Sequence, residues 1–464
     1  MMAEAKTPQE LLQERDQIFK DFYSNIIPER MPVVTSLYNP AVAEYGGQDL
    51  LTWHYDACTL FPAYEEIAEK MYSDTCPFMP PAVIARPATH YQILNSQSFV
   101  MAPNGLVQHP EVVGMYDTEY PDLIEKGFDF LVETVVPRQH KNLDPSDPIK
   151  MAWTIHMALN ERNNEFANYF PAYFGLIAKY GYHVGGTLGS GGFAEAPFDF
   201  LADQLRSFSG ISLDVRRHRS EIKEACEVLT PIMWHMGRPA YVDYQQNVFY
   251  PLHMPTFMRE KDFVELWLPS FKKIIDQDVA HGIRPWIFLE DDWTRYLDIV
   301  YDEFPAGCVL QIDEGDPQVF KDKLGKKFIL DGMFPFEHMR NCDVPELLDK
   351  AKEFLDIMLP GGGYIFGFNK GPLVAGDMDL DKYCALLEFV RDYAHYDNAG
   401  EPYGVPLSEA GVTLDPSIDE PIQSRYLFDW DAYKAQYPYA PDGSRAKLEA
   451  ANAQTFSWYM NLLV

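Results

Sequence analysis

Pro285-Trp-Ile-Phe-Leu-Glu290-Asp-Asp292, Gly307-Cys-Val-Leu-Gln-Ile-Asp313-Glu314, Lys327-Phe-Ile-Leu-Asp331-Gly-Met-Phe-Pro335 and Gly363-Tyr-Ile-Phe-Gly-Phe-Asn369 are four short apolar runs, each ending in or leading to acidic, amide or imidazole groups. Runs this brief cannot be helices, and their spacing of about twenty to thirty residues leaves room for a helix after each, which is the pattern of buried parallel strands. In a parallel barrel the loops after the strands converge at one end, and chemistry gathers there. Glu290, Asp292, Asp313, Glu314, Glu337, His338 and Asn369 are therefore candidates for a shared site. The plainer alternative is that each acid caps the helix that follows it.

Upstream, the chain supplies four more strand candidates. Met31-Pro-Val-Val-Thr-Ser-Leu-Tyr38 is the first and Pro80-Pro-Ala-Val-Ile-Ala-Arg86 the second. Residues 182–193 are a third with a glycine-rich exit, and Ala240-Tyr-Val-Asp-Tyr-Gln-Gln-Asn247 is a fourth, leaving through Tyr250-Pro-Leu-His253-Met-Pro255. Eight strands predict an α/β fold, a (β/α)8 TIM barrel over residues 31–395. Residues 1–30 read as a helical extension capped by Thr7, and 396–464 as a C-terminal extension. Between them, residues 90–180 form an insertion. Residues 91–116 alternate like an antiparallel hairpin over the barrel mouth, and 120–180 are mostly helical, broken near 142–147. Such an insertion is a substrate wall or lid, or simply padding. Helices are also expected over 200–208, 213–236 and 263–280.

Composition narrows the function. Apolar residues make up 47% and aromatic residues 14%, enough for a large core and a ring-lined pocket. A net charge of −31 repels a phosphate backbone or an anionic lipid surface, so neither nucleic acid nor membrane is an expected partner. No opening signal or long apolar span is present, which points to a cytoplasmic protein. Six scattered cysteines without a Cys-x-x-Cys pair read as free thiols. The glycines of 185–192 lack the acidic partner of a dinucleotide loop and fit close backbone approach to a flat ligand instead.

Several stretches resemble a known family. Phe193-Ala-Glu-Ala-Pro197-Phe after the third strand, Pro269-Ser-Phe-Lys-Lys-Ile-Ile before the fifth, Gln311-Ile-Asp313, Lys323-Leu-Gly325-Lys-Lys-Phe-Ile-Leu-Asp-Gly332 and Gly361-Gly-Gly-Tyr-Ile-Phe resemble the uroporphyrinogen decarboxylase superfamily. The resemblance covers about residues 30–395 and is strongest after Tyr182. It implies one of two chemistries. The decarboxylases hold an anionic tetrapyrrole with arginines near the chain start, where this chain has Val33-Val-Thr-Ser-Leu-Tyr38. The corrinoid-dependent methyltransferases face a cobalamin-carrying partner. Their thiol-directed members carry His-x-Cys after the fifth strand and another Cys after the eighth, where this chain has Phe288-Leu-Glu290 and Gly367-Phe-Asn369-Lys-Gly.

What remains resembles the ether-demethylating members of anaerobic metabolism. They move a methyl group from an aromatic methyl ether to the cobalt(I) of a corrinoid protein. On that resemblance Glu290, His338 and Asp313 are the expected catalytic residues, and Glu290, Glu314 and His338 the ligands of a possible zinc. Tyr38, Phe193, Tyr244, His253, Met254, Phe334, Phe368 and Asn369 are expected to bind substrate, the apolar ones being otherwise ordinary core. Two alternatives stay open: a decarboxylase-like lyase on a small carboxylated substrate, and a non-catalytic barrel that binds a tetrapyrrole or corrinoid. The ring-rich tail over 426–464 packs on the barrel or forms a homodimer contact.

Overall fold

The computed structural model describes residues 6–79, 88–187 and 190–464. The N-terminal helix, Pro8–Tyr23, starts where the sequence places it. Thr7 and Glu10 cap each other reciprocally, and Pro8 occupies the first turn, where its missing N–H costs nothing. The hairpin of the insertion is shorter than its alternation predicts. Only β1 (Val100–Met101) and β2 (Val107–Gln108) pair, and Thr89–Leu94 is helical. The rest of the insertion is dominated by one helix of 33 residues, Pro148–Tyr180, capped by Asp147 and ended by Gly181 at φ +61.

The barrel sheet is parallel and runs in chain order: β3 (Gly192–Phe193), β4 (Asn247–Leu252), β5 (Arg284–Asp292), β6 (Val309–Glu314), β7 (Ile329–Phe334) and β8 (Tyr364–Phe368). The last four are the runs quoted first, and the fold is the expected (β/α)8 type. Its remaining positions are joined by single parallel bridges instead of continuous ladders: Val33 to Phe366, Leu37 to Phe78 and Thr75 to His183. The first strand position thus falls on 31–38 as expected. The second is taken by Thr75 and Phe78; the expected stretch 80–86 lies outside the described residues.

An ion pair ties these two weakly laddered positions together. Arg30 grips Asp74 with both guanidinium nitrogens at 2.8 Å, Tyr72 donates to the same carboxylate at 2.6 Å, and the Val33 amide donates to it at 2.8 Å. The Asp74 side chain is fully buried.

The fourth strand is not where alternation puts it. Residues 240–246 form a turn, with the Gln246 amide donating to Asp243 O at 3.0 Å and with Tyr241 and Val242 exposed. The buried position goes to Asn247–Leu252, whose Val248, Tyr250 and Leu252 pack under the surrounding helices. The polar turn mimics a half-buried strand, whereas a parallel barrel strand is buried on both faces. This shift of seven residues matters, because it makes His253, expected on the exit of this strand, the first residue beyond it.

At the C-terminus, helix Arg445–Met460 and the buried residues Leu462, Leu463 and Val464 pack on the insertion. Burial depresses His140 to about 4, so its neutral ring donates to Leu462 O at 2.9 Å. Phe128 and Phe456 meet at 5.2 Å nearby. Among the described residues no helix is long and apolar enough to cross a membrane.

Candidate active site

Register determines which side chains look into the barrel. Phe193, Phe249 and Trp286 are lateral neighbours, and so are Pro251 with Phe288, Phe288 with Gln311, and Gln311 with Asp331. Lateral partners in a parallel sheet share a face, and so do residues two apart along a strand. Stepping two residues toward the C-terminal ends brings Glu195, His253, Glu290 and Asp313 to one inner rim.

His253 Nδ1 is in direct contact with the Glu290 carboxylate. Behind the imidazole stand three more carboxyl groups. Asp199 accepts the His253 amide at 3.0 Å and the Trp267 indole at 2.7 Å. Glu195 accepts from Gln204 at 3.0 Å with one oxygen, while the other is buried without a hydrogen-bond partner. Asp203 and Gln204 sit on a π-helical turn, Leu201–Arg206, that continues the short helix Pro197–Phe200. Such widened turns recur at functional sites.

Electrostatics separates the members of this row. Burial opposes the charged imidazolium, but the bond to Glu290 and the fields of Asp203, Glu290 and Asp199 outweigh it and push His253 up to about 10. Burial would raise Glu290; instead the bond to His253 and the charges of His253 and Lys370 hold it below the usual carboxylate range. Burial, with the charge of Asp203, lifts Glu195 to about 8 and Asp199 to about 7. Asp203 is raised too, chiefly by burial. At neutral pH the row therefore holds an imidazolium and an ionised Glu290, with Glu195 protonated and Asp199 partly protonated behind them.

Two hollows meet at this rim. His253, Phe257, Glu290, Asp291, Asp313, Glu314 and Lys370 line a mouth pocket of about 270 Å³. A deeper cavity of about 460 Å³ runs into the barrel, walled by Tyr38, Phe78, Tyr173, Phe174, Trp286 and Phe368. Lys370 borders both. Tyr173 and Phe174 come from helix Pro148–Tyr180, so the insertion is a wall of the cavity and not padding.

Residues 151–393, a little over half of the chain, match the uroporphyrinogen decarboxylase (URO-D) family. The chain belongs to the uroporphyrinogen decarboxylase family. Its fold is similar to that of a methyltransferase from Methanosarcina mazei, with 13% identity, a TM-score of 0.47, and coverage of 84% of this chain and 99% of that one. No curated protein sequence matches the chain.

Within this uroporphyrinogen decarboxylase-family barrel, the residues expected from sequence divide. Glu290 and His253 form the central pair, and Tyr38, Phe368 and Asn369 line the cavity. Asp313 is a positioning group. Its carboxylate accepts from the Asp291 amide at 3.1 Å and from Asn369 at 3.5 Å, with Lys370 at 3.5 Å. Asp291 holds φ +66, a strained conformation at the strand exit that this amide bond stabilises. Asp292 takes the capping role, accepting the Thr294 amide at 2.8 Å.

The remaining expectations are corrected. His338 lines neither hollow. After Phe334, Pro335 turns the chain into the short helix Glu337–Asn341, and the His338 ring lies edge-on against Phe334 at 5.6 Å. The imidazole beside Glu290 is therefore that of His253. Phe193 packs on Phe249, Tyr244 on Tyr23 and His183, and Met254 and Phe334 are buried; none lines the cavity.

Glu314 is more than half exposed, with Lys370 at 3.8 Å. Among the described residues no three His, Cys, Asp or Glu side chains are gathered to hold a metal ion. The expected trio of Glu290, Glu314 and His338 is not brought together and does not fit zinc. Sequence reasoning missed Glu195, Asp199, Asp203 and Lys370, although Glu195 stands two residues beyond Phe193, on the same face.

Proposed function

We propose that this protein is a methyltransferase that removes the methyl group of an aromatic methyl ether and delivers it to the cobalt(I) corrinoid of a partner protein. The observation that carries this reading is the pairing of His253 with Glu290 in the mouth pocket that adjoins a ring-walled cavity at Lys370. An aryl ether gives up its methyl group only if the phenolate that leaves is stabilised, so an acid must meet the ether oxygen. A free phenol has a pKa of about 10, and His253 is pushed up to about 10. The proton thus passes between groups of matched affinity.

In this scheme the arene lies between Tyr38, Trp286 and Phe368 with its methoxy group toward the rim. The carbon–oxygen bond breaks with its electron pair going to oxygen, and that oxygen takes the His253 proton. The corrinoid, when docked, supplies the electron pair that accepts the methyl group. Glu290 holds the imidazole in place and keeps it charged. Glu195 and Asp199, which retain protons near neutral pH, restore the lost proton. A flat macrocycle also finds a fitting surface, since Phe257 on the rim is 66% exposed and meets the exposed Phe208 ring edge-to-face at 5.1 Å.

The family favours a second reading, decarboxylation of a small carboxylated substrate. Against it stand the rim carboxylates Glu290, Asp313 and Glu314, which repel a carboxylate and already engage His253 and Lys370. The two readings separate in one assay. The full chain is incubated with methoxyarenes and a reduced corrinoid protein, and phenol release is followed by chromatography. Phenol is expected only when both are present. Its absence with every donor tried, together with carbon dioxide release from a carboxylated arene without corrinoid, would overturn the methyltransferase reading.

A further inference from the structure

One buried acid inside the barrel has no part in the scheme above. Asp331 of β7 lies beside Gln311 of β6 in register, two residues inside the rim residue Asp313, and both line the deep cavity. Asp331 is only 6% exposed, and among the described residues no other side chain hydrogen-bonds it. Space is reserved for its carboxyl group: a Cβ on Gly367 would stand 2.8 Å from Asp331 Oδ1. Gln311 is held in one orientation, because its Oε1 accepts from the buried Trp286 indole at 3.2 Å. Its amide nitrogen is left to donate into the cavity.

We infer that Asp331 and Gln311 form a specificity subsite that takes a hydroxyl group on the inward end of the ligand and refuses a carboxylate. A hydroxyl can donate to Asp331 and accept from the Gln311 amide at once, whereas a methoxy oxygen can only accept. A carboxylate can only accept and is repelled by the ionised form of Asp331, while Lys370, the one lysine or arginine among the described residues of the cavity wall, sits at the rim beside Asp313 and Glu314. Burial lifts Asp331 to about 7, so the carboxyl group is available as both acceptor and donor near neutral pH. The inference rests on reading this cavity as the arene site, and it extends that reading to the substituent that the substrate carries.

Its test is calorimetric binding to the full chain without any corrinoid partner, using 4-methoxyphenol, 1,4-dimethoxybenzene and 4-methoxybenzoate as probes, whose second substituent lies opposite the methoxy group. The wild type is expected to bind the phenol about tenfold more tightly than the dimethoxy compound, and the benzoate most weakly. Gln311→Leu and Asp331→Ala should each abolish the preference while leaving dimethoxybenzene affinity within about threefold. Equal affinity of the wild type for all three probes, or no binding of the phenol, overturns the subsite whether or not the variants fold. A hydroxyl preference without any corrinoid-dependent phenol release would overturn the proposed function and leave the subsite standing.

Discussion

Replacing His253 by glutamine is expected to lower corrinoid-dependent phenol formation by about 100- to 10,000-fold, the usual contribution of a positioned general acid. Glutamine keeps a hydrogen bond to Glu290 but has no proton to give. The pH profile separates this role from a structural one. Because His253 is pushed up to about 10, its charged form persists through neutral and mildly basic pH, and turnover should fall only as pH rises through that value. Glu290→Gln removes the bond that raises His253, so the falling limb should move toward neutral pH. The ion pair's contribution to stability has the same sign: it is full below the ordinary imidazole value and is lost as pH rises through about 10. Parallel scans of turnover and thermal unfolding for both variants check this. A His253→Gln enzyme with wild-type turnover would remove the imidazole from the chemistry.

Arg30→Met is expected to destabilise the fold by about 3 kcal/mol, because it leaves the buried Asp74 carboxylate without its bidentate partner and with only Arg15, 3.6 Å away, to offset the charge. Asp74 is fully buried, and burial would raise its pKa; the charge and hydrogen bonds of Arg30 outweigh that and hold it low. Its contribution is therefore present above the ordinary aspartate range and drains as pH falls through the depressed value. The loss also reaches the site, since Tyr38, Thr75 and Phe78 of the cavity wall lie on the two positions this pair joins. Urea unfolding of Arg30→Met, set against Arg30→Met combined with Asp74→Leu, checks the cause. The double variant should recover part of the loss, because the buried anion is gone and Arg15 keeps its bonds to the Tyr180 and Gly181 carbonyls.

Much of the barrel was legible because β5 to β8 are bounded apolar runs, and a buried parallel strand leaves that trace. The acids at their ends were legible for the same reason, and Glu290 and Asp313 do reach the rim. The partner of Glu290 was harder to see. The alternation of Ala240-Tyr-Val-Asp-Tyr imitates a strand, and with the fourth strand placed there His253 reads as a substrate contact on its exit and not as the residue paired with Glu290. Glu195 was hidden because β3 is only two residues long, too short for a periodic signal. His338 misled because Pro335 ends the strand direction before the imidazole is reached.

Two of the aromatic and thioether expectations lie away from the cavity. Phe334 meets Phe354 of helix Val344–Met358 at 5.4 Å on the outer side of its strand, whereas its register partner Phe368, at the exit of β8, lines the cavity. Met254 follows the inward His253 and is buried away from the cavity. Residue type alone could not have separated these from Tyr38 or Phe368.

The protonation state of His253 tests the site most directly. In the full chain with nitrogen-15-labelled histidine, its signal can be assigned among the 12 imidazoles by comparison with His253→Gln. The ring is expected to be an imidazolium at neutral pH, to titrate near 10, and to titrate lower in Glu290→Gln. A neutral His253 ring at neutral pH, unchanged by the loss of Glu290, would contradict the role of this pair as the acid of the reaction.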